Sequence, residues 1–571
     1  MIYPGSVHSH TDYSNERLRD CIIKIPDMMN YAEELGHTVL GFTDHESISG
    51  WMKIEEEAEK HPNLKVLRGN EIYLCRDGLN SQNFQRGIDK YYHFVLIAKN
   101  LRGAHQIMEI STRAWKRSYM SRGMRRVPTY YNDLIEIIGR EPGNVIGSSA
   151  CLGGALPTQL LKYRETKDEN LYKKIENWCI QINNIFGQGN FYLEMQPSHN
   201  EEQKYVNQEL VKLSAKLGIP FIVTTDSHYL KKEDRKIHKA YLNAQNGERE
   251  VDEFYATTYM MNTEEIVSYL SETFEEDIIA EAFRNIEELA EKCEPFSLKK
   301  PLKIPNLKWR KVEESSEDDK KFFFEKIPYL KQFAHSKHLS DRYLVEAVID
   351  GIKRHKDLQN EEAYKELNIN LESTWISSEV NKAQWSAYYL NLQNIIDECW
   401  NAGTIVGPSR GSGGGFLLLY CLNIIQMNKL REPTQTFHWR FLNPKRASVL
   451  DVDSDIEGTK RAQVLAHLRK VYGEDRVANV ATFRTEKSKS AILTAARGLG
   501  IDVDIAQYIA SLIPAERGIL RSLSDCMYGN EEKGIKPVKE FQRIMTDEQP
   551  DLWKVSISIE GLICGSGLIL A

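Results

Sequence analysis

The chain has 571 residues, a formal net charge of −7, 41% apolar residues and 27% charged residues. That length is too great for one hydrophobic core and points to roughly two to four domains. The longest apolar run, residues 416–425, is about half of what crosses a bilayer, so no membrane-spanning class is expected.

The N-terminus, Met1-Ile2-Tyr3-Pro4, lacks the basic and apolar regions of a signal peptide and leads straight into a histidine motif. Nine cysteines, an odd number without a Cys-x-x-Cys pair, argue for a reducing cytoplasm and against a zinc finger or disulfide framework. Residues 1 to 295 alternate short apolar strands with helical stretches. Thr38–Phe42, Phe94–Ile97 and Phe221–Val223 are predicted strands; Ile25–Leu35 and Glu201–Leu217 are predicted helices. That alternation argues for a mostly parallel sheet or barrel, with functional residues at the strand ends.

Those ends carry His8, His10, Asp20, Asp44, His45, Glu71, His93, Cys151, Asp226 and His228. Any one histidine is more often an ordinary core or surface residue. The pairs His8-x-His10 and Asp226-x-His228 are harder to dismiss, because residues i and i+2 of a strand point at one centre.

Further along, Lys299–Pro305 reads as a linker and Glu313–Lys321 as a solvated charge run. Helical periodicity returns at Tyr343–His355 and Tyr388–Trp400. The stretch Val406-Gly-Pro-Ser-Arg-Gly-Ser-Gly-Gly-Gly415 then runs into apolar residues, where a following helix would offer a positive N-terminus. Arg410 adds a planar fork for phosphate oxygens. The stretch fits neither a Walker loop nor a dinucleotide fingerprint, and a flexible turn accounts for its glycines alone.

In Leu450-Asp-Val-Asp-Ser-Asp455 three carboxylates alternate, so on a strand Asp451, Asp453 and Asp455 share a face. Like charges so placed call for a hard cation such as Mg²⁺ or Mn²⁺. A calcium loop is excluded by Ile456 and Ala462 at its glycine and glutamate positions; a solvated acidic edge stays open. Between Lys460 and Arg497 nine Lys/Arg face three Asp/Glu, which suits a phosphate-contacting surface better than the net charge does. Ile492–Leu499 and Ile505–Ile513 are predicted helices, Leu523–Met545 a mobile surface segment, and Ile557–Gly561 and Gly567–Leu570 returning strands.

The ordered run Gly407–Ser412, Arg440–Arg446, Asp451–Asp455 and Tyr472–Val477 resembles the palm of C-family replicative DNA polymerases, the alpha subunits of bacterial DNA polymerase III. Leu450, Ser454 and Arg484 depart from the family pattern without removing a carboxylate. The strand-end inventory resembles the PHP (polymerase and histidinol phosphatase) domain that precedes that palm. The resemblance implies an α/β multidomain chain: a PHP distorted (β/α) barrel over 1–295, the first part of an α+β palm over 296–485, an inserted helical thumb over 486–555, and the start of a second palm segment over 556–571.

The resemblance also assigns roles. His8, His10, Asp20, His45, Glu71, His93, Cys151, Asp226 and His228 would hold Zn²⁺ or Mn²⁺ in the PHP site; Asp20 is spaced further from His10 than in many relatives. That site would serve a 3′–5′ exonuclease, hydrolysis of pyrophosphate, or bracing alone. Asp451 and Asp453 would be catalytic and hold Mg²⁺, with Asp455 orienting neighbours. Arg410, Gly411 and Ser412 would bind the incoming triphosphate, and Lys487 and Lys489 phosphates. Implied partners are primer–template DNA, deoxynucleoside triphosphates, replisome proteins, and further polypeptide carrying a third palm aspartate and the fingers. The rival readings are a free-standing PHP phosphoesterase and a silent scaffold half of a split polymerase.

Overall fold

A computed structural model of the chain describes residues 2–121, 124–246, 254–445 and 450–569. Arg446 and Leu570, at the ends of two sequence motifs, lie outside the described residues. The chain divides into two compact units, Met1–Lys299 with Ala481–Ile569, and Lys300–Val480.

The first unit is built on a seven-stranded mixed sheet. Its strands are β1 (Val39–Phe42), β2 (Lys65–Cys75), β3 (Tyr92–Ala98), β4 (Pro128–Tyr130), β5 (Val145–Ser148), β6 (Phe191–Met195) and β7 (Phe221–Val223). The order is β1-β2-β3-β5-β6-β7, with β4 also paired to β2. β1–β2, β2–β4, β5–β6 and β6–β7 are parallel, while β3 runs antiparallel to β2 and β5. β1, β5, β6 and β7 are buried at every position, as parallel strands covered on both faces must be.

The covering helices follow ordinary local rules. Ile25–Glu34 carries a proline in its first turn. Glu201–Leu217 is capped by the Asn200 side chain and ends at Gly218, whose φ of 66° a side chain would resist.

The N-terminal stretch bridges the two ends of the sheet. Val39 N–H donates to Pro4 O, Gly41 N–H to Ser6 O and Thr43 N–H to Ser9 O; on the other side His10 N–H donates to Ser227 O. The sheet is thereby curled, and His8 and His10 come to lie between the ends of β1 and β7. Gly41 permits the approach, since a Cβ there would lie 2.2 Å from Val7 O.

The same unit contains the segment expected to be a thumb inserted in the palm. Helix Ser488–Leu499 packs on helix Arg235–Asn246 so closely that a Cβ on Gly498 would meet Ala240 O at 1.9 Å. Strands Val480–Thr485 and Ile563–Ile569 pair, and Ile563 N–H donates to Asp12 Oδ2 at 3.1 Å. Two sequence expectations need correction. Leu523–Met545 contains helices Leu523–Tyr528 and Lys539–Arg543, with Leu523, Cys526, Phe541 and Met545 buried in a core; apolar residues at helical spacing outweigh its Gly and Lys content. Ile557–Ile559 is the end of helix Pro550–Ile559, with Ile559 facing that core.

The second unit is mainly helical. Helices Leu339–Arg354, Glu361–Asn381 and Trp385–Asn401 surround a core of Leu344, Val348, Leu367, Leu371, Trp385 and Leu418. Among the described residues the expected strand at Leu450–Asp455 forms no ladder; Ile456, just after it, bridges to Val406, and Gly407 N–H donates to Asp455 O. Leu450 and Val452 do pack on the core, but alternation alone supplies no partner strand. No helix among the described residues is long and apolar enough to cross a membrane.

Candidate metal centre

Nine side chains converge in the first unit: His8, His10 and Asp20 from the N-terminal stretch, Glu71 and His93 from β2 and β3, and His45, Cys151, Asp226 and His228 from the segments that follow β1, β5 and β7. All but His93 are essentially removed from solvent. Three groups, the first two sharing His10, each have their ligand atoms within 4.8 Å of one another: His10, His45 and His228; His8, His10 and Asp226; Glu71, His93 and Cys151. Asp20 joins them through Oδ2, 3.4 Å from His45 Nε2 and 3.8 Å from His228 Nε2. Glu71 spans the centre, with Oε1 2.8 Å from His93 Nδ1 and Oε2 2.5 Å from His45 Nδ1.

The outer ring nitrogens are held. His8 Nδ1 lies 2.6 Å from Glu194 Oε1, and His228 Nδ1 lies 2.7 Å from the Asp226 carbonyl oxygen. Each contact fixes the proton on Nδ1 and leaves a lone pair on Nε2. Those Nε2 atoms then face other acceptors. His8 Nε2 and His10 Nε2 are 3.2 Å apart, His45 Nε2 and His228 Nε2 are 3.4 Å apart, and His10 Nε2 is 2.9 Å from Asp226 Oδ1. Asp20 Oδ1, Glu71 Oε2 and Asp226 Oδ1 are buried without a hydrogen bond. Converging lone pairs and unbonded carboxylate oxygens in a dry site fit a divalent cation, and the mix of N, O and S suits Zn²⁺ or Mn²⁺.

Electrostatics say the same. Burial pushes the Asp20, Glu71 and Asp226 carboxyls up, yet the facing imidazoles outweigh it and hold all three well below the usual carboxylate range. Burial works against a charged His45, but Asp20 and Glu71 raise it to about 10. His10 is lowered to about 3, first by burial and then by His45 and His228. Burial holds the Cys151 thiol well above its ordinary value. A divalent cation bound among these carboxylates would displace protons from the imidazoles that ligate it.

The backbone is bent to make this centre. Asp226 (φ 46°), Glu46 (φ 47°), next to His45, and Ala150 (φ 58°), next to Cys151, are in the left-handed region. Each costs on the order of 1 kcal/mol, a strain that clusters where ligands are aimed. Sequence reading missed Glu194, Tyr73 and Tyr255. Tyr255 O–H donates to Asp20 Oδ2 at 3.1 Å, and Tyr73 Oη lies 3.1 Å from His45 Nδ1. Glu194 had a signal: it is the one charged residue in the buried strand Phe191–Met195.

The palm candidates are placed differently. Asp451, Asp453 and Asp455 are exposed, and among the described residues none belongs to a group of three possible ligands. Gly411, at φ 64°, lies against Asp453: a Cβ there would be 2.9 Å from Oδ2. Arg410 Nη1 donates to Asp455 Oδ1 at 3.2 Å, an exposed pair of little strength. Ser412 is exposed in the turn Gly411–Gly415. The helix that follows, Leu417–Cys421, has five residues, so the expected dipole site is not built. Lys487 is exposed at the start of helix Ser488–Leu499 and Lys489 is half-buried in its first turn; both belong to the first unit.

Comparison with known proteins accounts for both halves of the chain. Residues 6–198 match the PHP domain family, and residues 342–567 match the family described as bacterial DNA polymerase III alpha NTPase domain. The chain belongs to the DNA polymerase III alpha family. It is 35% identical to the DNA-directed DNA polymerase of Bacillus phage SPbeta over 590 residues, which cover 97% of this chain and 44% of that protein. It is 28% identical to the DNA polymerase III subunit alpha of Aquifex aeolicus, over 97% of this chain and 46% of the other. For the Thermus aquaticus subunit the identity is 26%, over 99% and 47%. The chain thus spans less than half the length of these relatives.

Proposed function

We propose that this chain is the PHP and palm portion of a replicative DNA-directed DNA polymerase, and that its PHP centre hydrolyses a phosphoester at a DNA 3′ end. The observation that carries the second part is the convergence of five imidazoles, three carboxylates and a thiol in one buried centre. His8, His10, Asp20, His45, Glu71, His93, Cys151, Asp226 and His228 would hold Zn²⁺ or Mn²⁺. When bound, such ions supply an activated water and a clamp for phosphoryl oxygens. The chain's own work is orientation: Glu194 sets the His8 tautomer, Tyr255 steadies Asp20, and burial keeps bulk water out. His93, with 23% of its side chain exposed, is the ligand candidate through which the centre meets solvent.

For polymerase chemistry Asp451 and Asp453 would hold Mg²⁺, and Arg410, Gly411 and Ser412 would bind the triphosphate; Lys487 and Lys489 would meet phosphates. Primer–template DNA and deoxynucleoside triphosphates would be the substrates, with further polypeptide needed for synthesis.

The test of the PHP reading is elemental analysis of gently purified protein, followed by release of nucleotides from a labelled DNA 3′ end. Up to three ions, one per ligand group, and metal-dependent release lost on His8→Ala with His10→Ala are expected. Absence of metal, or release unaffected by the substitutions, would sink it.

A further inference from the structure

Arg17 lies between His10 and Asp20, in the stretch that gives those two residues their long spacing. Its side chain is 8% exposed, and its Nε and Nη1 have no hydrogen-bond partner. Among the described residues it forms no ion pair. An arginine cannot shed its charge, and a buried cation left without an anion is strongly destabilising. The guanidinium lies 3.4 Å over the centroid of the Tyr73 ring, a contact that offsets only a small part of that cost.

Tyr73 places this cation against the metal ligands. Its Oη is 3.1 Å from His45 Nδ1 and its ring packs on His93 at 4.8 Å. The carboxylate whose field Arg17 feels, Glu46, is otherwise engaged: Oε1 accepts from Tyr73 N–H at 2.8 Å and from the Thr129 hydroxyl at 3.1 Å. A second arginine stands close by. Arg126, on the strand Met124–Arg126, lies over Tyr91 at 5.4 Å and is lowered below the usual arginine range, first by burial and then by Arg17. Two guanidiniums thus repel one another beside a cluster of metal ligands, and neither has a carboxylate partner among the described residues.

We propose that Arg17, with Arg126 beside it, is an oxyanion-binding flank of the metal centre that takes a non-bridging oxygen of a phosphate group. The planar fork of arginine matches phosphate oxygens, and a phosphate would supply the missing anion to both. The proposal rests on reading the centre as a phosphoester site. It adds a residue class absent from the nine ligand candidates, and the phosphate comes from a nucleotide end or from free phosphate.

The test is calorimetric titration of the full chain, metal-free and Mn²⁺-loaded, with thymidine 5′-monophosphate, thymidine and inorganic phosphate. Arg17→Met should weaken binding of both phosphates at least about tenfold, the worth of one charge-assisted hydrogen bond, with metal content unchanged. Arg17→Lys should recover part of it, and Arg126→Gln should weaken it less. Thymidine should not bind measurably to any of them. Tighter binding of the monophosphate than of inorganic phosphate supports the flank with a nucleotide end as its ligand; equal binding supports it with free phosphate. Phosphate binding untouched by Arg17→Met at full metal content overturns the proposal and leaves Arg17 bridged to Glu46 through water. If Arg17→Met does not fold, Arg126→Gln and the phosphate-dependent rise in Tm of the unaltered chain decide, and absence of both effects overturns it. Loss of phosphate binding in a chain that hydrolyses no 3′ end would keep the flank and discard the hydrolytic reading.

Discussion

His8 and Glu194, 186 residues apart in sequence, meet at 2.6 Å in the floor of the metal centre. Glu194 is itself held by the hydroxyls of Ser148 and Thr224, at 2.5 and 2.6 Å, so the carboxylate is fixed before any metal arrives. Such outer partners keep a ligand imidazole in one tautomer and raise its basicity. Glu194→Gln keeps the shape and removes the charge. Metal affinity, measured by competition with a chromogenic chelator, should fall by about 10- to 100-fold. Unchanged affinity would mean that His8 is not a ligand.

Acid stability should carry the mark of His37, which lies away from the ligand set. Its ring sits edge-on to Tyr3, and its Nε2–H donates to Met261 O at 3.1 Å. Burial lowers its pKa to about 4, only partly opposed by that hydrogen bond. The unfolded chain therefore binds a proton that the folded chain refuses between about pH 6.5 and 4. The stabilisation of the neutral ring is present above that window and is lost as pH falls through it. Between pH 7 and 5 this amounts to about 2 kcal/mol. His37→Gln should lose that much less than the unaltered chain in urea denaturation at the two pH values. Parallel losses would show that the ring titrates normally.

A third expectation concerns the packing of helix Ser488–Leu499 on helix Arg235–Asn246. Gly498→Ala would place a methyl group 1.9 Å from Ala240 O, and backbone cannot yield as a side chain can. A cost of about 1–3 kcal/mol is expected, read as a lowered midpoint in denaturant. Gly458→Ala, with nothing within 4 Å of the new carbon, should be nearly neutral. Equal behaviour of the two variants would refute the helix contact.

The site was legible where chemistry and period coincide. His8-x-His10 and Asp226-x-His228 sit at the ends of apolar stretches, and the curled sheet draws both pairs together. Glu194 stood out only as a lone charge in an apolar strand and Arg17, in a loop of mixed charge, not at all, since neither position says what the side chain faces. The acidic stretch Asp451–Asp455 shows the limit of periodicity. Alternation put Val452 toward the core, but whether a strand forms depends on a partner, which alternation does not encode. In Leu523–Met545, composition suggested a loose surface, while Phe541, Ile544 and Met545 recur at helical spacing and are buried.

The last prediction concerns synthesis. Asp451 and Asp453 are exposed, and among the described residues no third carboxylate or imidazole joins them within reach of one ion. Two-metal phosphoryl transfer needs carboxylates that fix both ions at a separation of about 3.5–4 Å. A half-held pair forfeits the positioning that supplies most of the rate. Residues 1–571 alone should therefore extend no primer on a template, even with Mg²⁺ and all four deoxynucleoside triphosphates. A second polypeptide carrying the remaining portion found in the relatives should restore extension. Asp453→Asn should then abolish it while leaving DNA binding and 3′-end hydrolysis intact, because the PHP ligands share no residue with Asp451 or Asp453. Gly411→Ala, which crowds Asp453 Oδ2 at 2.9 Å, should slow the restored reaction without touching hydrolysis. Templated synthesis by residues 1–571 alone would show that Asp451 and Asp453 find their remaining ligands within this chain.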